Sequence, residues 1–326
     1  MKQKNRLIAL ILIISFVLCG CSNKELLLSH KRTSYDVNSV TSFITNNNTF
    51  KSVNMSNDIC VIPENTVAMP GDMFLRSHGV LLVDIDTNEM ILSKNIYEKM
   101  YPASLTKMAT ALVCLKYGNL DDMITVSYAA SHINEPGAKL CFLQEGDVID
   151  FRTLLTAFVI YSGNDAGVAL AEHISGTEAA FAELMNKELK KIGAVNTHFV
   201  NSHGLPDDNH YTSVYDMYLV LNELMKYEEF CKIAALDSIT ATFKDASGKD
   251  VTKIYENTNQ YLMGFKKLPK GISILASKTG TTLAAGSCLC LTVQKKKKHR
   301  YIAVVMKAPD SNILYNEMNI ILERTK

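Results

Sequence analysis

Three short segments of this 326-residue chain carry side chains that could do chemistry together: Ser104-Leu-Thr-Lys107, Ser162-Gly-Asn164 and Lys278-Thr-Gly280. They supply a hydroxyl nucleophile, amines that can take and return its proton, and a cation for a carboxylate. Those are the parts of an acyl transfer through a serine. Each segment alone is weak. S-x-x-K arises by chance roughly once in a chain of this length, S-x-N is no rarer, and K-T-G occurs in roughly one such chain in ten. Ser52-Val-Asn54 is another S-x-N. The signal lies in the order of the three segments, their separation and their settings.

Ser104 follows Tyr101-Pro102-Ala103, which places it at or just inside a helix N-terminus. Free backbone N–H groups and the positive dipole end there favour negative charge on an attacked carbonyl. Lys107 is three residues on, on the same helical face and within reach of the hydroxyl. It can act as base only if its pKa falls by roughly three units from about 10.4, through burial and a neighbouring cation. Lys278 can be that neighbour. Ser162-Gly163-Asn164 falls between two helices, where Gly163 permits a tight turn that aims both flanking side chains into a cleft. Ser162 is expected to relay a proton between Lys107 and the leaving amine, and Asn164 to bond substrate amides. Lys278-Thr279-Gly280 reads as a strand that Gly280 keeps uncluttered for an extended peptide. Lys278 and the Thr279 hydroxyl would hold a terminal carboxylate. The N–H of Thr281, beside that of Ser104, would complete an oxyanion site.

The surrounding pattern must position these groups. Val80–Val83 and Met90–Leu92 read as strands joined by a turn at Asp86-Thr-Asn88. Helices are expected over 104–117 (ended by Gly118), after an Asp150 cap through Val159, over 166–174 and over 177–192. Strands return at 272–281, 288–293 and 301–306, with Lys295–Lys298 as a solvated hairpin tip, and a helix closes the chain over 313–322. The fold class is therefore α/β (α+β): an antiparallel sheet formed from both chain ends, flanked by helices, with an all-helical insert lying over it.

Hydrophobic residues make up 47% of the sequence and the net charge is +1. That supports a sizeable core and gives no argument for nucleic acid. Residues 1–20 have a basic start (Lys2, Lys4, Arg6), an apolar run over 7–18 and then Leu18-Cys19-Gly20-Cys21. This reads as a lipoprotein signal peptide with Cys21 as the lipidated new N-terminus. An uncleaved anchor and ordinary secretory cleavage are the alternatives, and all three place the remainder outside the cytoplasm. Residues 21–59 are polar and read as a disordered tether, leaving 60–326 as the folded domain. Cys60, Cys114, Cys141, Cys231, Cys288 and Cys290 have neither disulfide-scaffold nor zinc spacing, and mostly free thiols are expected. His78, His132, His173, His198, His203 and His210 form no zinc pattern, read as surface or capping residues, and leave no metal or other cofactor to expect.

Beyond the three segments, the chain resembles the low-molecular-weight penicillin-binding proteins that act as serine D-alanyl-D-alanine carboxypeptidases. The likeness runs through Tyr101–Thr110, Ser162–Gly167 with Leu170-Ala-Glu172, Met185-Asn186, Thr197–Asn201 with Gly204-Leu-Pro206, Asn257-Thr-Asn259, and Lys278–Thr282 with Ala285-Gly286. It covers about residues 60 to 325. The resemblance implies the β-lactamase/transpeptidase-like fold, a peptidoglycan stem-peptide substrate and covalent inhibition by β-lactams. The acidic-glycine pair usual before the lysine motif is replaced by Ala276-Ser277, so the edge of that strand is expected to differ. The C-terminal β-rich domain and amphipathic anchor of many members do not follow, and the N-terminal lipid is expected to take the anchor's place on a bacterial membrane.

Two rival readings remain at this point. A β-lactamase needs a carboxylate base for deacylation, commonly a Glu in a loop after the second motif. Here Glu183 and Glu188 fall on a helix, and the loop from Asn201 offers only Asp207 and Asp208. A non-catalytic β-lactam-sensing or wall-binding lipoprotein would keep the pocket but has no reason to keep all three motifs intact.

Overall fold

The computed structural model describes residues 59–63, 68–70, 74–296 and 298–326. The expected signal peptide, Cys21 and all but the last residue of the expected tether lie outside them. At the start of the folded part, the Tyr218 hydroxyl accepts from the Cys60 N–H at 2.8 Å and the Tyr215 hydroxyl donates to the Cys60 carbonyl at 2.9 Å.

A five-stranded antiparallel sheet takes its strands from both ends of the chain. Its order is β2 (Glu89–Lys94), β1 (Gly79–Asp84), β9 (His299–Ala308), β8 (Gly286–Lys295) and β7 (Ile272–Thr282). β1 pairs with β9 in the register Val80↔Val305 and Leu82↔Ala303. Alternation along these strands feeds two cores, because successive side chains leave opposite faces. Leu81, Val83, Cys288, Cys290, Ile302 and Val304 face one core. Val80, Leu82, Leu289, Leu291, Ala303 and Val305 face the other, where Leu314, Met318, Ile321 and Leu322 of the last helix, α8 (Ser311–Leu322), cover the sheet. Cys288 and Cys290 are thus packing residues, and all six cysteines within the described residues are free.

Between β2 and β7 lie α1 (Thr106–Tyr117), α2 (Tyr128–Ser131), α3 (Phe151–Tyr161), α4 (Asn164–Ser175), α5 (Glu178–Lys191), α6 (Val214–Leu224) and α7 (Glu228–Ala234). Residues Thr106 to Cys114 of α1 are all buried, so α1 is the hub around which the other helices pack. The Asp150 cap falls where the sequence places it, and two further helix ends are capped. The Asp150 carboxylate accepts from the Thr153 N–H, the Thr177 hydroxyl accepts from that of Ala180, and Gly176 ends α4 in the left-handed region. Gly118 ends α1 in extended backbone: a Cβ there would sit 2.3 Å from the Phe151 ring.

The insert departs from the all-helical expectation. It also holds a four-stranded antiparallel sheet, β3 (Met123–Thr125), β4 (Val148–Asp150), β5 (Ser238–Lys244) and β6 (Asp250–Glu256). β3 and β4 are three residues each, too short to show alternation, and β4 meets β5 only through Val148↔Lys244.

Candidate active site

Ser104 sits on a single 3-10 turn, Ala103–Leu105, that leads into α1. The turn is strained at Ala103, whose φ is +48°, a conformation that costs a residue with a side chain on the order of 1–2 kcal/mol. Two close approaches hold it there. Gly280 of β7 presses against it, with a Cβ position only 3.0 Å from Pro102 O and Ser104 N. Gly204 presses from the other side, with a Cβ position 1.9 Å from Ala103 O. The bareness of Gly280 thus serves the nucleophile turn, where the sequence had suggested room for a peptide.

Lys107 is fully buried. Its Nζ lies 3.1 Å from Ser104 Oγ, 2.7 Å from Asn164 Oδ1 and 2.7 Å from the His203 carbonyl. Burial, and next the charge of Lys278, push its pKa well below the ordinary lysine value. A neutral amine has two hydrogens and one lone pair. With the Asn164 and His203 oxygens accepting the hydrogens, the lone pair is left facing Ser104.

Ser162 ends α3 with φ +76°, so the serine itself makes the left-handed turn expected of Gly163. Gly163 is extended, and a Cβ on it would meet Cys141 Sγ at 2.3 Å. Ser162 Oγ accepts from Lys278 Nζ at 3.1 Å, and Lys278 also donates to Thr279 O at 3.2 Å. The second motif therefore touches both lysines: Asn164 reaches Lys107 and Ser162 reaches Lys278. Asn164, expected to face substrate amides, spends its carbonyl oxygen on Lys107. Burial, reinforced by the charge of Lys139, brings Lys278 down to about 7. The Thr279 hydroxyl lies 2.6 Å from that of Thr258. Ala276 and Ser277 are buried, and the β7–β8 register shifts between Ile274 and Ala276, just before them.

These groups line one cleft of about 250 Å³, with Ser104, Ser162, Asn164, Thr279, Gly280 and Thr281 on its walls. Lys139, His203 and Thr258 join them there and were not singled out from sequence. His203 and His210, expected at the surface, are buried. His210 Nδ1 accepts from the Val200 N–H at 3.1 Å, which leaves Nε2–H to donate to Thr106 Oγ1 at 2.7 Å. His203 Nδ1 likewise accepts from the Leu205 N–H at 3.2 Å. Burial above all lowers both imidazoles to about 3. The Glu178 carboxylate 3.4 Å from His203 Nε2 does not reverse this, because its Oε1 already accepts from Ser202 N–H and hydroxyl. Their signal is not in any spacing, since Thr106 lies 104 residues before its histidine. Cys21 lies outside the described residues.

Among the described residues no carboxylate lines the cleft beside Ser104. Asp165, the first acid after the second motif, accepts from the N–H groups of Cys141, Leu143 and Ala166. Away from the cleft, Asp84, Asp86 and His299 come close enough to share an ion, but Asp86 already holds Arg300.

Residues 64–310 match the D-alanyl-D-alanine carboxypeptidase family model. The chain is 36% identical over 241 residues to the D-alanyl-D-alanine carboxypeptidase DacF of Bacillus subtilis, a match spanning 72% of this chain and 58% of that one. The chain therefore spans less than two thirds of the length of that curated relative. Penicillin binding protein 6B from Escherichia coli superposes with a TM-score of 0.66 at 30% identity, over 78% of each chain. The Streptomyces K15 DD-transpeptidase reaches 0.70 at 25% identity, over 77% of this chain and 97% of that one, a likeness of fold.

Proposed function

The chain belongs to the D-alanyl-D-alanine carboxypeptidase family, and on that premise we propose that it removes the terminal D-alanine from peptidoglycan stem peptides through an acyl-enzyme at Ser104. The observation that carries this reading is the three-way bonding of Lys107 Nζ, which aims a neutral amine's lone pair at Ser104 Oγ.

The steps follow from the geometry. Ser104 Oγ forms a bond to the carbonyl carbon between the two D-alanines as its proton passes to Lys107. The N–H groups of Ser104 and Thr281 receive the negative oxygen. The C–N bond breaks as the leaving nitrogen takes a proton from Ser162 Oγ, which is refilled from the Lys278 ammonium beside it. Lys107 ends charged and Lys278 neutral, so the charge of the pair is unchanged, and a proton passing from one amine to the other restores the start. Water then attacks the acyl carbon, gives its proton to Lys107, and Ser104 Oγ departs reprotonated. Lys278, Thr279 and Thr258 hold the terminal carboxylate, and Asn164 fixes Lys107.

A β-lactam enters the same path but stops at the acyl-enzyme, because its leaving nitrogen stays tethered to the acyl group and occupies the space that a departing D-alanine opens to water. Asp165 and Glu178, committed to backbone and serine groups, add no carboxylate base to overcome this. This argues against a β-lactamase. The N-terminal segment supports extracytoplasmic placement, with Cys21 lipidated and the domain tethered to a bacterial membrane; radiolabelled palmitate incorporation lost in Cys21→Ala tests it.

The decisive experiment follows the full-length protein by intact mass after benzylpenicillin, beside Ser104→Ala. A long-lived adduct on the wild type alone, with D-alanine released from a stem pentapeptide, supports the reading. D-alanine release by the Ser104→Ala variant refutes it.

A further inference from the structure

Lys139 is a cleft residue whose ammonium the chain itself leaves unmatched. It lies in the segment between α2 and β4, and three contacts fix that segment against the second motif. The Lys139 carbonyl accepts from the Asn164 N–H at 2.7 Å. The Asp165 carboxylate accepts from Cys141 N–H at 2.8 Å and Leu143 N–H at 3.1 Å. Gly163 has no side chain, so Cys141 can close onto the turn. The backbone of Lys139 is therefore positioned as firmly as Asn164 itself.

Its side chain reaches solvent, and the ammonium rests over the Tyr161 ring, 4.0 Å from the centroid. Tyr161 is in turn braced by Tyr255, with ring centroids 5.2 Å apart, and the Tyr255 hydroxyl donates to the Cys141 carbonyl. Among the described residues no carboxylate forms an ion pair with Lys139. Partial burial lowers its pKa, an effect that the charge of Glu256 opposes, and its own charge reaches Lys107 and Lys278. Three lysines thus sense one another's charge at this site, and the two buried ones are the poorer cations: Lys107 is neutral when it acts, and Lys278 is lowered to about 7. A carboxylate drawn into the cleft needs a cation it can reach, and of the three lysines Lys139 is the one whose side chain is exposed and which lines the cleft wall.

We propose that Lys139 is a specificity-determining residue, pairing with the terminal carboxylate of the bound peptide from the Tyr161 side while Lys278 and Thr279 hold it from β7. This rests on the carboxypeptidase reading and adds to it a cation from the helical insert. Tyr161 is the platform that keeps the long side chain from straying, so the pair forms at small entropic cost.

The test uses two acyl-D-alanyl thioesters, one of thioglycolic acid and one of its methyl ester. In both, Ser104 Oγ bonds to the acyl carbon, the C–S bond breaks and the thiol leaves with the proton; they differ only by the carboxylate. Acylation rates by mass spectrometry give the preference for the charged substrate. We expect the wild type to favour it, Lys139→Gln to reduce that preference about tenfold, and Lys139→Arg to retain most of it. An unchanged preference in Lys139→Gln, or an equal fall on both substrates, overturns the assignment of Lys139 and leaves the carboxypeptidase reading standing. A wild type acylated by neither thioester overturns both.

Discussion

His210 donates from Nε2 to Thr106 Oγ1 at 2.7 Å, and the same Thr106 hydroxyl donates to Ala103 O at 2.9 Å. A buried imidazole thus holds the carbonyl that heads the strained turn bearing Ser104. His210→Phe keeps the ring shape that stacks on Phe199 but removes the donor. We expect penicillin acylation to slow about tenfold, with Thr106→Val coupled to it by about 1 kcal/mol in a double-mutant cycle. Strict additivity of the two effects would show that the histidine acts on stability alone.

The two buried histidines also make acid stability a readout of the site. Each has a folded pKa of about 3 against an ordinary value near 6.5. Below 6.5 the unfolded chain takes up protons that the folded chain refuses, so stability falls as pH falls. By pH 5 the loss is about 2 kcal/mol per histidine. Urea midpoints at pH 7 and pH 5 measure it. Glu188, held at about 2 by its lysine partners, weakens only as pH drops below the ordinary glutamate range. Lys107 and Lys278, whose burial also disfavours the charged form, act with the same sign as the histidines, so over the window from 6.5 to 5 the histidine share is the slope lost in His210→Phe. A flat midpoint across that window contradicts their neutral burial.

Lys107→Met should separate catalysis from folding. The substitution removes the base and an amine that burial disfavours in its charged form. Acylation is expected to fall by about 10³-fold, with melting temperature unchanged or raised. A variant that acylates at a tenth of the wild-type rate would move the base role elsewhere.

Gly280→Ala and Gly176→Ala distinguish crowding from backbone strain. At Gly280 the new methyl meets Pro102 O, Ser104 N and Leu105 N at 3.0 to 3.1 Å, with backbone that cannot yield. At Gly176 it meets nothing within 4 Å, but φ is +78°. We expect Gly280→Ala to lose tenfold or more in acylation, and Gly176→Ala to lose about 1 kcal/mol of stability with normal acylation. Equal acylation by both variants would show that β7 does not set the nucleophile turn.

The sequence disclosed what depends on neighbours along the chain. Ser104 with Lys107, the Asp150 cap, the helix starting near Thr177 and the sheet drawn from both ends follow from spacing and periodicity. The small second sheet does not, although β5 and β6 alternate around the turn at Asp245–Lys249. Their buried side is sparse (Ala241, Phe243 and Tyr255) and their other face is open to water. Lys139, His203 and His210 escaped for another reason: a lone lysine or histidine gains meaning only from what stands beside it, and their partners are contributed by remote segments. Ser162 and Gly163 show the same limit on a smaller scale, since which of them bends the chain depends on Cys141 packing against the glycine.

The pairing of β1 with β9 sets a timetable for the enzyme. Val80 meets Val305, and the turn at Ser104 leans on Gly280, so no intermediate that lacks the last third of the chain can hold the nucleophile in place. Helices α1 to α6 can gather from local contacts, while the sheet must wait for ends more than 200 residues apart to meet. Topology of this kind slows the rate-limiting step. Refolding should therefore recover helical circular dichroism well before it recovers acylation, and a nascent chain stays chemically silent until its final strands have docked.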